Sequence, residues 1–496
     1  MRRAVAFALL PAICLIAAVA HAQAPAKAPA QAPGQAPAKQ QPAFELSRTV
    51  HKPWTGDLDG MIKRRVIRIL APYSKTFYFI DRGVQRGLIY DISQLLEQDI
   101  NKKLKSGHLK VHVTIVPLAR DEFIPALRDG RGDIAMGNLT ITPERLKQVD
   151  FSNPTVTNVS EIVVTGPGAP PIATVQDLAG HEVFIRKSSS FYESIEKLNG
   201  ELTKAGKAKV KIRPAPENLE TEDILEMAGA GLIKVTIADS YIATFWKQIF
   251  PRITLHQDVA VRSGGEIGWM IRKDSPQLEA ELNASLKRYA GSWQRNELLA
   301  RYLKTTKWAK AATTSEELPK FERTVELFRK YGDRYDIDYL ILMAQGYQES
   351  QLNQNARSPA GAIGIMQVMP ATGKEMKVGD IHQIEPNIHA GVKFLRAMMN
   401  EYYAKGPMNQ LNRGLFTFAA YNAGPGRVRG LRRVAAERGL DPNVWLNNVE
   451  LIAAEKIGRE TVTYVSNIYK YFLAYQMLAE ERAEREKAKE AVKQGK

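Results

Sequence analysis

The chain has 496 residues and an apolar fraction of 44%. This length exceeds what one core normally supports, so at least two domains are expected, and no apolar run beyond the first 25 residues is long enough to span a membrane. The formal net charge of +16 can serve solubility alone or attract an anionic polymer such as nucleic acid, a membrane surface or a cell wall.

Residues 1–22 have the pattern of a secretory signal peptide. Arg2 and Arg3 form its positive region, an apolar stretch follows, and the small residues Ala20 and Ala22 predict cleavage after Ala22. A retained membrane anchor is the alternative, although the apolar stretch is short. Export to the periplasm argues against nucleic acid as the anionic partner.

Cys14 is the single cysteine of the chain and lies inside the apolar stretch. Lipidation would make it the first residue of the exported chain, but the Pro-Ala-Ile before it is a poor match to a lipobox. Cleavage after Ala22 removes this thiol. The exported chain can then form neither a disulfide nor a cysteine-based metal site, and nothing in the sequence indicates a cofactor or a metal.

Residues 23–45 are rich in Ala and Pro and are expected to form an extended tether. The pattern then changes to that of an α/β domain, because short apolar runs alternate with segments of helical spacing. Strands that alternate with helices predict a mostly parallel sheet. The predicted strands are Val66–Leu70, Val111–Val116 and Asp133–Met136, and the predicted helices are Leu88–Leu104 and Phe123–Leu127.

The α/β domain, assigned to residues 46–310, resembles bacterial periplasmic solute-binding proteins of the amino-acid-binding type. The stretch from Gly132 to Arg145 carries the best part of the resemblance, and Gly268–Asp274 resembles the strand that returns to the first lobe. The resemblance implies two lobes with a ligand cleft between them that closes by a hinge.

The same resemblance implies a ligand site in this cleft. Thr140 and Arg145 match the positions that clamp an amino-acid α-carboxylate, to which the planar guanidinium of Arg can donate two bonds. Asp239 matches the acid that holds the α-amino group, and Ser189 with its neighbouring serines would add hydroxyl contacts. The alternative is that Arg145 and Asp239 form structural ion pairs.

From about Leu318 strands disappear, and residues 316–478 are predicted to form an all-α domain. Residues 479–496 carry many charges of both signs, which predicts a solvated helical tail. An arginine-rich segment at residues 427–433 could contact carboxylates of a partner or be an ordinary solvated loop. The predicted helices are Phe321–Tyr331, Ile337–Tyr347, Ile388–Tyr403, Leu415–Tyr421, Val449–Ile457 and Thr461–Leu478.

Glu349 is the most informative residue of the helical domain. The apolar face of the preceding predicted helix places Glu349 near the helix C-terminus, ahead of a turn that contains Gly361. The helix dipole and burial both disfavour a negative charge there, so a raised pKa is predicted, as a general acid requires. An exposed glutamate at a helix end is the alternative.

Four short motifs occur in a fixed order, beginning with Glu349 itself. They are Glu349-Ser350, Gly364-Ile365-Met366-Gln367, Ala420-Tyr421-Asn422-Ala423-Gly424 and Glu460-Thr461-x-x-Tyr464-Val465.

The order and wording of these motifs resemble the catalytic domain of the soluble lytic transglycosylase family, which has a lysozyme-like fold and cuts bacterial peptidoglycan. The resemblance implies that Glu349 protonates the glycosidic oxygen between N-acetylmuramic acid and N-acetylglucosamine. The resulting carboxylate then takes the proton of the muramic acid C6 hydroxyl, which closes on C1 to give a 1,6-anhydro product. One carboxylate then suffices, whereas ordinary glycosidases usually need a pair. No Asp lies between Glu349 and Asp380, and Glu375 has no counterpart in the family motif.

The resemblance also implies roles for residues around the acid. Ser358 would bond a substrate acyl group or the acid, and Tyr421 would contact the acid or the cleaved sugar. Glu460 matches a second carboxylate, structural or sugar-binding, whereas Tyr464 is interpreted as a packing residue. The full predicted substrate-binding set is Ser358, Gln367, Met369, Tyr421, Asn422 and Glu460, in which Asn422 also shapes the turn before Gly424.

The order of the two domains resembles the F type of membrane-bound lytic murein transglycosylases. The expected partners are peptidoglycan glycan strands, whose stem-peptide carboxylates suit a basic protein, and an amino-acid or muropeptide effector. Peripheral contact with the outer membrane and a periplasmic location are further expectations. The alternatives are a periplasmic protein that binds peptidoglycan or a solute without cleavage, and a lysozyme-like hydrolase. The presence of Glu349 argues against the first alternative.

Overall fold

The computed structural model describes residues 52–81, 84–304, 317–404 and 406–494. The predicted signal peptide, the tether and Cys14 lie outside these residues. The described chain forms two compact units, of which one comprises Ser47–Leu318 with Leu473–Lys496 and the other comprises Pro319–Phe472. We call them the α/β unit and the helical unit. Within the described residues, no helix is both long enough and apolar enough to cross a membrane.

The α/β unit alternates strands and helices along most of its length. Its helix Leu88–Leu104 has the bounds that the apolar spacing predicts. The strands are β1 (Val66–Ala71), β2 (Phe79–Asp81), β3 (Val84–Arg86), β4 (His112–Pro117), β5 (Ile134–Thr140), β6 (Asp150–Phe151), β7 (Val156–Thr165), β8 (Glu182–Arg186), β9 (Lys211–Ala215), β10 (Val235–Asp239) and β11 (Thr254–Ile271). The α-helices are α1 (Leu58–Arg64), α2 (Leu88–Leu104), α3 (Phe123–Arg128), α4 (Pro143–Leu146), α5 (Ser190–Lys204), α6 (Thr221–Gly229), α7 (Ser240–Lys247), α8 (Pro276–Tyr289) and α9 (Trp293–Leu303).

The main sheet is mixed, so the prediction of a mostly parallel sheet is wrong. Its strand order is β10-β7-β11-β5-β1-β4, and β6 also pairs with β11. Strand β1 lies parallel to β4 and β5, but β11 runs antiparallel to β5, β6 and β7, and β10 runs antiparallel to β7. Two parallel neighbouring strands must be joined by a long crossover, usually a helix. Strands β6 and β7 are separated only by residues 152–155, and both pair with the long strand β11.

Two buried apolar clusters stabilise the α/β unit. The larger includes side chains of β1 and β4 such as Ile69 and Val113, and the smaller lies around β8 and α5, with Ile185 and Ile195 fully buried. A buried ion pair connects β1 to the residue before β5, because Asp133 accepts from the main chain of Arg68 at 2.8 Å and from its guanidinium at 3.0 Å. These contacts fix the start of β5, and the ligand-cleft residue Thr140 lies at the other end of the same strand.

The helical unit contains the six predicted helices with shifted bounds and two further ones. The arginine-rich segment forms α15, so its interpretation as a loop is wrong. The apolar residues Val428, Leu431 and Ala435 are buried on one face of that helix. The helices are α10 (Glu317–Tyr335), α11 (Tyr339–Ser350), α12 (Pro370–Met376), α13 (Ile384–Met398), α14 (Gln410–Ala423), α15 (Pro425–Glu437), α16 (Glu450–Lys456) and α17 (Arg459–Lys493), of which α17 ends in the α/β unit.

The C-terminal tail is helical, but one of its faces is buried. The side chain of Arg485 is 4% exposed, lies 2.7 Å from the fully buried carboxylate of Asp223 and donates to the carbonyl of Tyr73 at 3.0 Å. Lys489 lies 3.1 Å from the same carboxylate. The prediction of a solvated tail is therefore wrong for this face. A buried charge without a partner is strongly destabilising, so Asp223 and Arg485 are buried as a pair.

Candidate active site

Glu349 lies in the last turn of α11, and Gln351, the residue that follows this helix, has a left-handed conformation with φ of 55°. The neighbouring Ser350 donates its hydroxyl to the carbonyl of Ile365 at 2.9 Å. This bond connects the end of the helix to the Gly364-Ile365-Met366-Gln367 loop. Two of the predicted motifs are therefore adjacent in the folded chain.

The carboxyl group of Glu349 is surrounded by uncharged partners. Tyr464 donates its hydroxyl to Oε1 of Glu349 at 2.5 Å, and Gln345 donates from Nε2 to the hydroxyl of Tyr464 at 3.2 Å. Burial raises the pKa of Glu349 to about 7, although the hydrogen bonds of Tyr464 and Gln345 lower it. The predicted rise in pKa is confirmed, and burial is its largest cause.

The loop after α11 is held by the buried side chain of Asn387 in α13. Its Oδ1 accepts from the main-chain nitrogen of Met366 at 2.9 Å, and its Nδ2 donates to the carbonyl of Ile363 at 2.8 Å. Gly364 has φ of 76°, and an added Cβ would lie 2.6 Å from the Asn387 amide. A glycine is required at this position because a side chain would clash and strain the backbone.

Tyr421 is the one predicted substrate-binding residue that the structure connects to the acid. Its hydroxyl donates to the carbonyl of Met366 at 2.7 Å, and its pKa is raised by burial and by the nearby charge of Glu349. The pKa of Tyr464 is also raised, mainly by burial and then by the charge of Glu349. Two phenols therefore lie close to the carboxyl group, on α14 and on α17.

Three other predicted substrate-binding residues bond groups other than Glu349. The hydroxyl of Ser358 accepts from the main-chain nitrogen of Ala362 at 2.9 Å, Gln367 donates to the carbonyl of Gly364 at 2.9 Å, and Asn422 accepts from Thr461 at 2.6 Å.

Two further members of the predicted set are exposed. Met369 is 42% exposed at the start of α12, and Glu460 is exposed in the first turn of α17. Within the described residues, no hydrogen bond connects Ser358, Met369 or Glu460 directly to Glu349. The roles of these three residues in substrate binding stay predictions.

Sequence reasoning missed Tyr464, Gln345 and Asn387. The interpretation of Tyr464 as a packing residue is wrong, because its hydroxyl bonds the acid across 115 residues of chain. Gln345 could have been found, since it precedes Glu349 by four residues and so lies on the same helix face. Asn387 gave no signal, because no spacing rule connects it to the loop that it holds.

The predicted ligand residues of the α/β unit line one cavity of about 790 Å³, in which Thr140, Arg145, Ser189 and Asp239 all take part. Arg145 donates to the carbonyls of Thr140 and Ser188, each at 2.8 Å. Burial lowers the pKa of Arg145 to about 10. Two nitrogens of its guanidinium group thus already donate to main-chain carbonyls of the cleft.

The serine hydroxyls of this cavity are also bonded. Ser190 donates to the hydroxyl of Thr140 at 3.0 Å, and Ser189 donates to the carbonyl of Arg186 at 2.6 Å. Ser189 also caps α5, since it accepts from the main-chain nitrogen of Tyr192 at 3.4 Å. The hydroxyl contacts expected for a ligand therefore require some of these bonds to rearrange.

Asp239 is buried and only partly bonded. Its Oδ2 accepts from Asn138 at 2.5 Å, whereas its Oδ1 has no partner among the described atoms. Burial, and then the charge of Glu161, raise the pKa of Asp239 to about 7. An unpaired buried oxygen of this kind suits a donor supplied by a ligand.

In the described part of the chain, no group of three or more His, Cys, Asp or Glu side chains could hold a metal ion.

Two family descriptions match the chain. Residues 69–305 match the bacterial extracellular solute-binding proteins of family 3, and residues 326–441 match the transglycosylase SLT domain. The fold and the site thus define a class of protein in which an α/β solute-binding domain precedes a helical SLT domain, which confirms the predicted fold class.

Relatives with the same arrangement cover most of the chain. A membrane-bound lytic murein transglycosylase F of Pasteurella multocida (strain Pm70) is 30% identical over 424 residues, which are 79% of this chain and 80% of the relative. One of Desulfosudis oleivorans is 27% identical over 434 residues, which are 82% of this chain and 89% of the relative. The chain belongs to the membrane-bound lytic murein transglycosylase F family.

Solved structures resemble the N-terminal half. An ancestral amino-acid-binding protein, a precursor of cyclohexadienyl dehydratase, is 26% identical with a TM-score of 0.40, and the match covers 50% of this chain and 99% of that protein. An ancestral arginine-binding protein bound to arginine is 24% identical with a TM-score of 0.39, and the match covers 48% and 97%.

Proposed function

We infer that the chain is a lytic transglycosylase that cleaves the β-1,4 bond between N-acetylmuramic acid and N-acetylglucosamine in peptidoglycan and forms 1,6-anhydro-muramic ends. The observation that carries this inference is the carboxyl group of Glu349, with a pKa of about 7 and a hydroxyl donor at 2.5 Å. Membership of the F family supports the same function.

A single carboxyl group with this pKa can serve both steps of the reaction. Protonated Glu349 gives its proton to the glycosidic oxygen, and the N-acetylglucosamine end leaves as an alcohol while the muramic C1 gains oxocarbenium character. The resulting carboxylate accepts the proton of the C6 hydroxyl, whose oxygen bonds to C1. The proton is returned to Glu349, no water is consumed, and the acid is ready for another turnover. A pKa near neutral pH makes both proton transfers favourable.

Tyr464 supports the ionised state between the two steps. A hydrogen bond to the charged form of a carboxyl group stabilises that form. Because the donor is a neutral phenol, it does not stabilise the carboxylate so strongly that the acid would be ionised from the start. Glu349 is half-buried as a residue and lies at a helix end, next to the loop that contains Met366.

The cleft of the α/β unit is proposed to bind an amino acid or a peptide released from the wall. Arg145 would face the carboxylate, and the unpaired Oδ1 of Asp239 would accept from the ammonium group. Such a ligand regulates cleavage only if it binds one state of the protein better than another. The predicted signal peptide supports a periplasmic location, with peripheral contact to the outer membrane as a further part of the proposal.

The test is digestion of purified peptidoglycan by the exported chain, followed by mass spectrometry of the released muropeptides. Wild-type protein and a Glu375→Gln control, altered at an exposed glutamate, are expected to release anhydro-muropeptides, whereas Glu349→Gln is expected to release none. Reducing muramic ends from the wild type would identify a hydrolase. Binding of peptidoglycan without any product would favour the non-cleaving alternative.

A further inference from the structure

Gln345 is a fully buried amide in a helix whose neighbouring positions are apolar. It lies in α11 between Ala344 and Gly346, and its side chain has no exposed surface. Its Nε2 donates to Tyr464, while its Oε1 has no partner among the described atoms. A buried amide with one unsatisfied atom destabilises a core relative to a leucine of similar size. Its presence therefore needs a reason other than stability.

The number of protons that the two nearby tyrosine hydroxyls can donate gives such a reason. A tyrosine hydroxyl has one proton to donate. Tyr421 donates its proton to the carbonyl of Met366 at 2.7 Å, so of the two phenols near the acid only Tyr464 can donate to Glu349. Once its proton is directed at Glu349, the oxygen of Tyr464 can only accept from Gln345, which fixes the amide orientation with Nε2 toward the phenol.

The orientation of the tyrosine then decides which carboxyl oxygen of Glu349 carries the proton. Oε1 accepts from Tyr464, so the transferable proton is held on the other oxygen, Oε2. A phenol without its second partner could rotate and present a lone pair to Oε1 instead. A hydroxyl that accepts a hydrogen bond is also a better donor, because bonds in a chain polarise one another.

We propose, on the basis of the transglycosylase function above, that Gln345 is a positioning residue that directs the hydroxyl of Tyr464 onto Oε1 of Glu349 and thereby keeps the transferable proton on Oε2. Gln345 touches no sugar in this account. Its main route is the phenol, to which it donates at 3.2 Å, and its amide also lowers the pKa of Glu349 directly, so its removal should alter proton transfer while leaving substrate binding intact.

The surroundings of Glu349 make a pH readout interpretable. Apart from burial, the groups that shift its pKa are the hydroxyl of Tyr464 on α17 and the amide of Gln345 on α11, both of which lower it. Tyr421 faces the acid from α14, and its pKa and that of Tyr464 are raised well above the usual value, so neither phenol titrates near neutral pH. The alkaline limb of the activity profile should therefore report Glu349.

The experiment compares the full exported chain with Gln345→Leu, Tyr464→Phe and the double variant. Release of anhydro-muropeptides is measured from about pH 5 to about pH 9. Gln345→Leu is expected to lower kcat about tenfold with KM unchanged, and to move the alkaline limb to higher pH because the carboxylate loses an oriented donor. The double variant is expected to lose much less than the product of the two single losses, since the amide acts mainly through the phenol.

Gln345→Met sharpens the result, because a methionine fills a similar volume without an N–H donor and should release the phenol as a leucine does. Its loss of kcat is expected to equal that of Gln345→Leu. Equal melting temperatures of wild type and Gln345→Leu would exclude unfolding as the cause, and a leucine is expected to be tolerated at this buried position.

Two results would overturn the proposal: a wild-type pH profile and kcat for Gln345→Leu, or additive losses in the double variant. A wild type that releases no anhydro ends would contradict the transglycosylase function itself. In that case carbon-13 NMR titration of labelled Glu349 still tests the positioning role without substrate. It is expected to give a higher pKa in Gln345→Leu than in wild type, and an equal pKa would contradict the role.

Discussion

Glu349 in the helical unit and Asp239 in the α/β unit are two carboxyl groups whose pKa values are both raised to about 7, for different reasons. Burial alone raises the pKa of Glu349, and neutral donors lower it. Burial and the charge of Glu161 raise that of Asp239, while Asn138 and the arginines at 120 and 145 lower it. Similar pKa values thus arise from a neutral environment in one unit and a charged one in the other.

The difference indicates different chemistry. A carboxyl group among neutral donors can exchange a proton with a substrate without disturbing a neighbouring charge, which suits an acid that later acts as a base. A carboxyl group among charges, with one unpaired oxygen, is stabilised when a cationic ligand group arrives. We therefore expect Glu349 to be sensitive to changes in hydrogen bonding, and Asp239 to changes in charge.

The largest expected effect is that of Glu349→Gln. A glutamine can neither give nor accept the transferred proton, so release of anhydro-muropeptides should fall by roughly a thousandfold or more. Asp239→Asn, which alters the other acid, should leave cleavage detectable in the same chromatographic assay. Comparable losses in both variants would contradict the division of roles.

Tyr464→Phe should lower kcat by roughly a hundredfold, because the carboxylate formed after the first step loses its donor. Without this bond the pKa of Glu349 rises, so the protonated acid persists to higher pH and the alkaline limb of the rate profile moves upward. Steady-state assays across pH measure both effects. Tyr402→Phe, whose hydroxyl interacts with Glu401 instead, is the matched control and should retain the wild-type profile.

The charged environment of the α/β unit extends to the tail. Arg485 bonds Asp223 in the first turn of α6, next to Glu220, whose carboxylate binds Arg120 at 2.7 and 2.8 Å. Arg485→Ala should lower the free energy of unfolding of this unit by about 2 kcal/mol, less than for an isolated buried pair because Lys489 remains. Denaturant titration measures the change, and Lys487→Ala, altered at a side chain that is 73% exposed, is the control. Equal unfolding midpoints for both variants would show that the tail does not stabilise the unit.

Asp239→Asn should weaken the binding of free L-amino acids about tenfold, since the ammonium group loses its charged acceptor. Calorimetry with single amino acids tests this, with Asp258→Asn at an exposed site as control. Affinity for wild type should rise with pH through about 7, because the ligand needs the ionised form of Asp239. An affinity that does not change with pH would argue that the ammonium group binds elsewhere.

The remaining expected effect is on the pH dependence of stability. Folded Glu349 and folded Asp239 hold protons that the unfolded chain releases, so the free energy of unfolding should fall as pH rises from about 4 to about 7. Denaturant titrations at several pH values should show a flatter dependence in Glu349→Gln and in Asp239→Asn. An unchanged slope in either variant would contradict the raised pKa of that residue.

In each unit the sequence predicts some features and not others. The helix that carries Glu349 follows from apolar spacing, and α2 has the predicted bounds Leu88–Leu104. The direction of β11 does not follow, because alternation of apolar residues gives no strand polarity. Residues 254–267 of this strand were not predicted as a strand at all. The contact of Tyr464 with the acid could not be derived either, since a phenol in a helix packs or donates according to what a distant segment supplies. The burial of Arg485 depends in the same way on Asp223, far away in the chain.

The most direct test of the central claim is digestion of peptidoglycan in water enriched in oxygen-18, with mass spectrometry of the muramic ends. Glu349 in a transglycosylase moves a proton from the C6 hydroxyl and consumes no water. The account therefore predicts anhydro-muramic ends without the label, which disappear in Glu349→Gln. Muramic ends that carry oxygen-18 would show attack by water and would contradict the account.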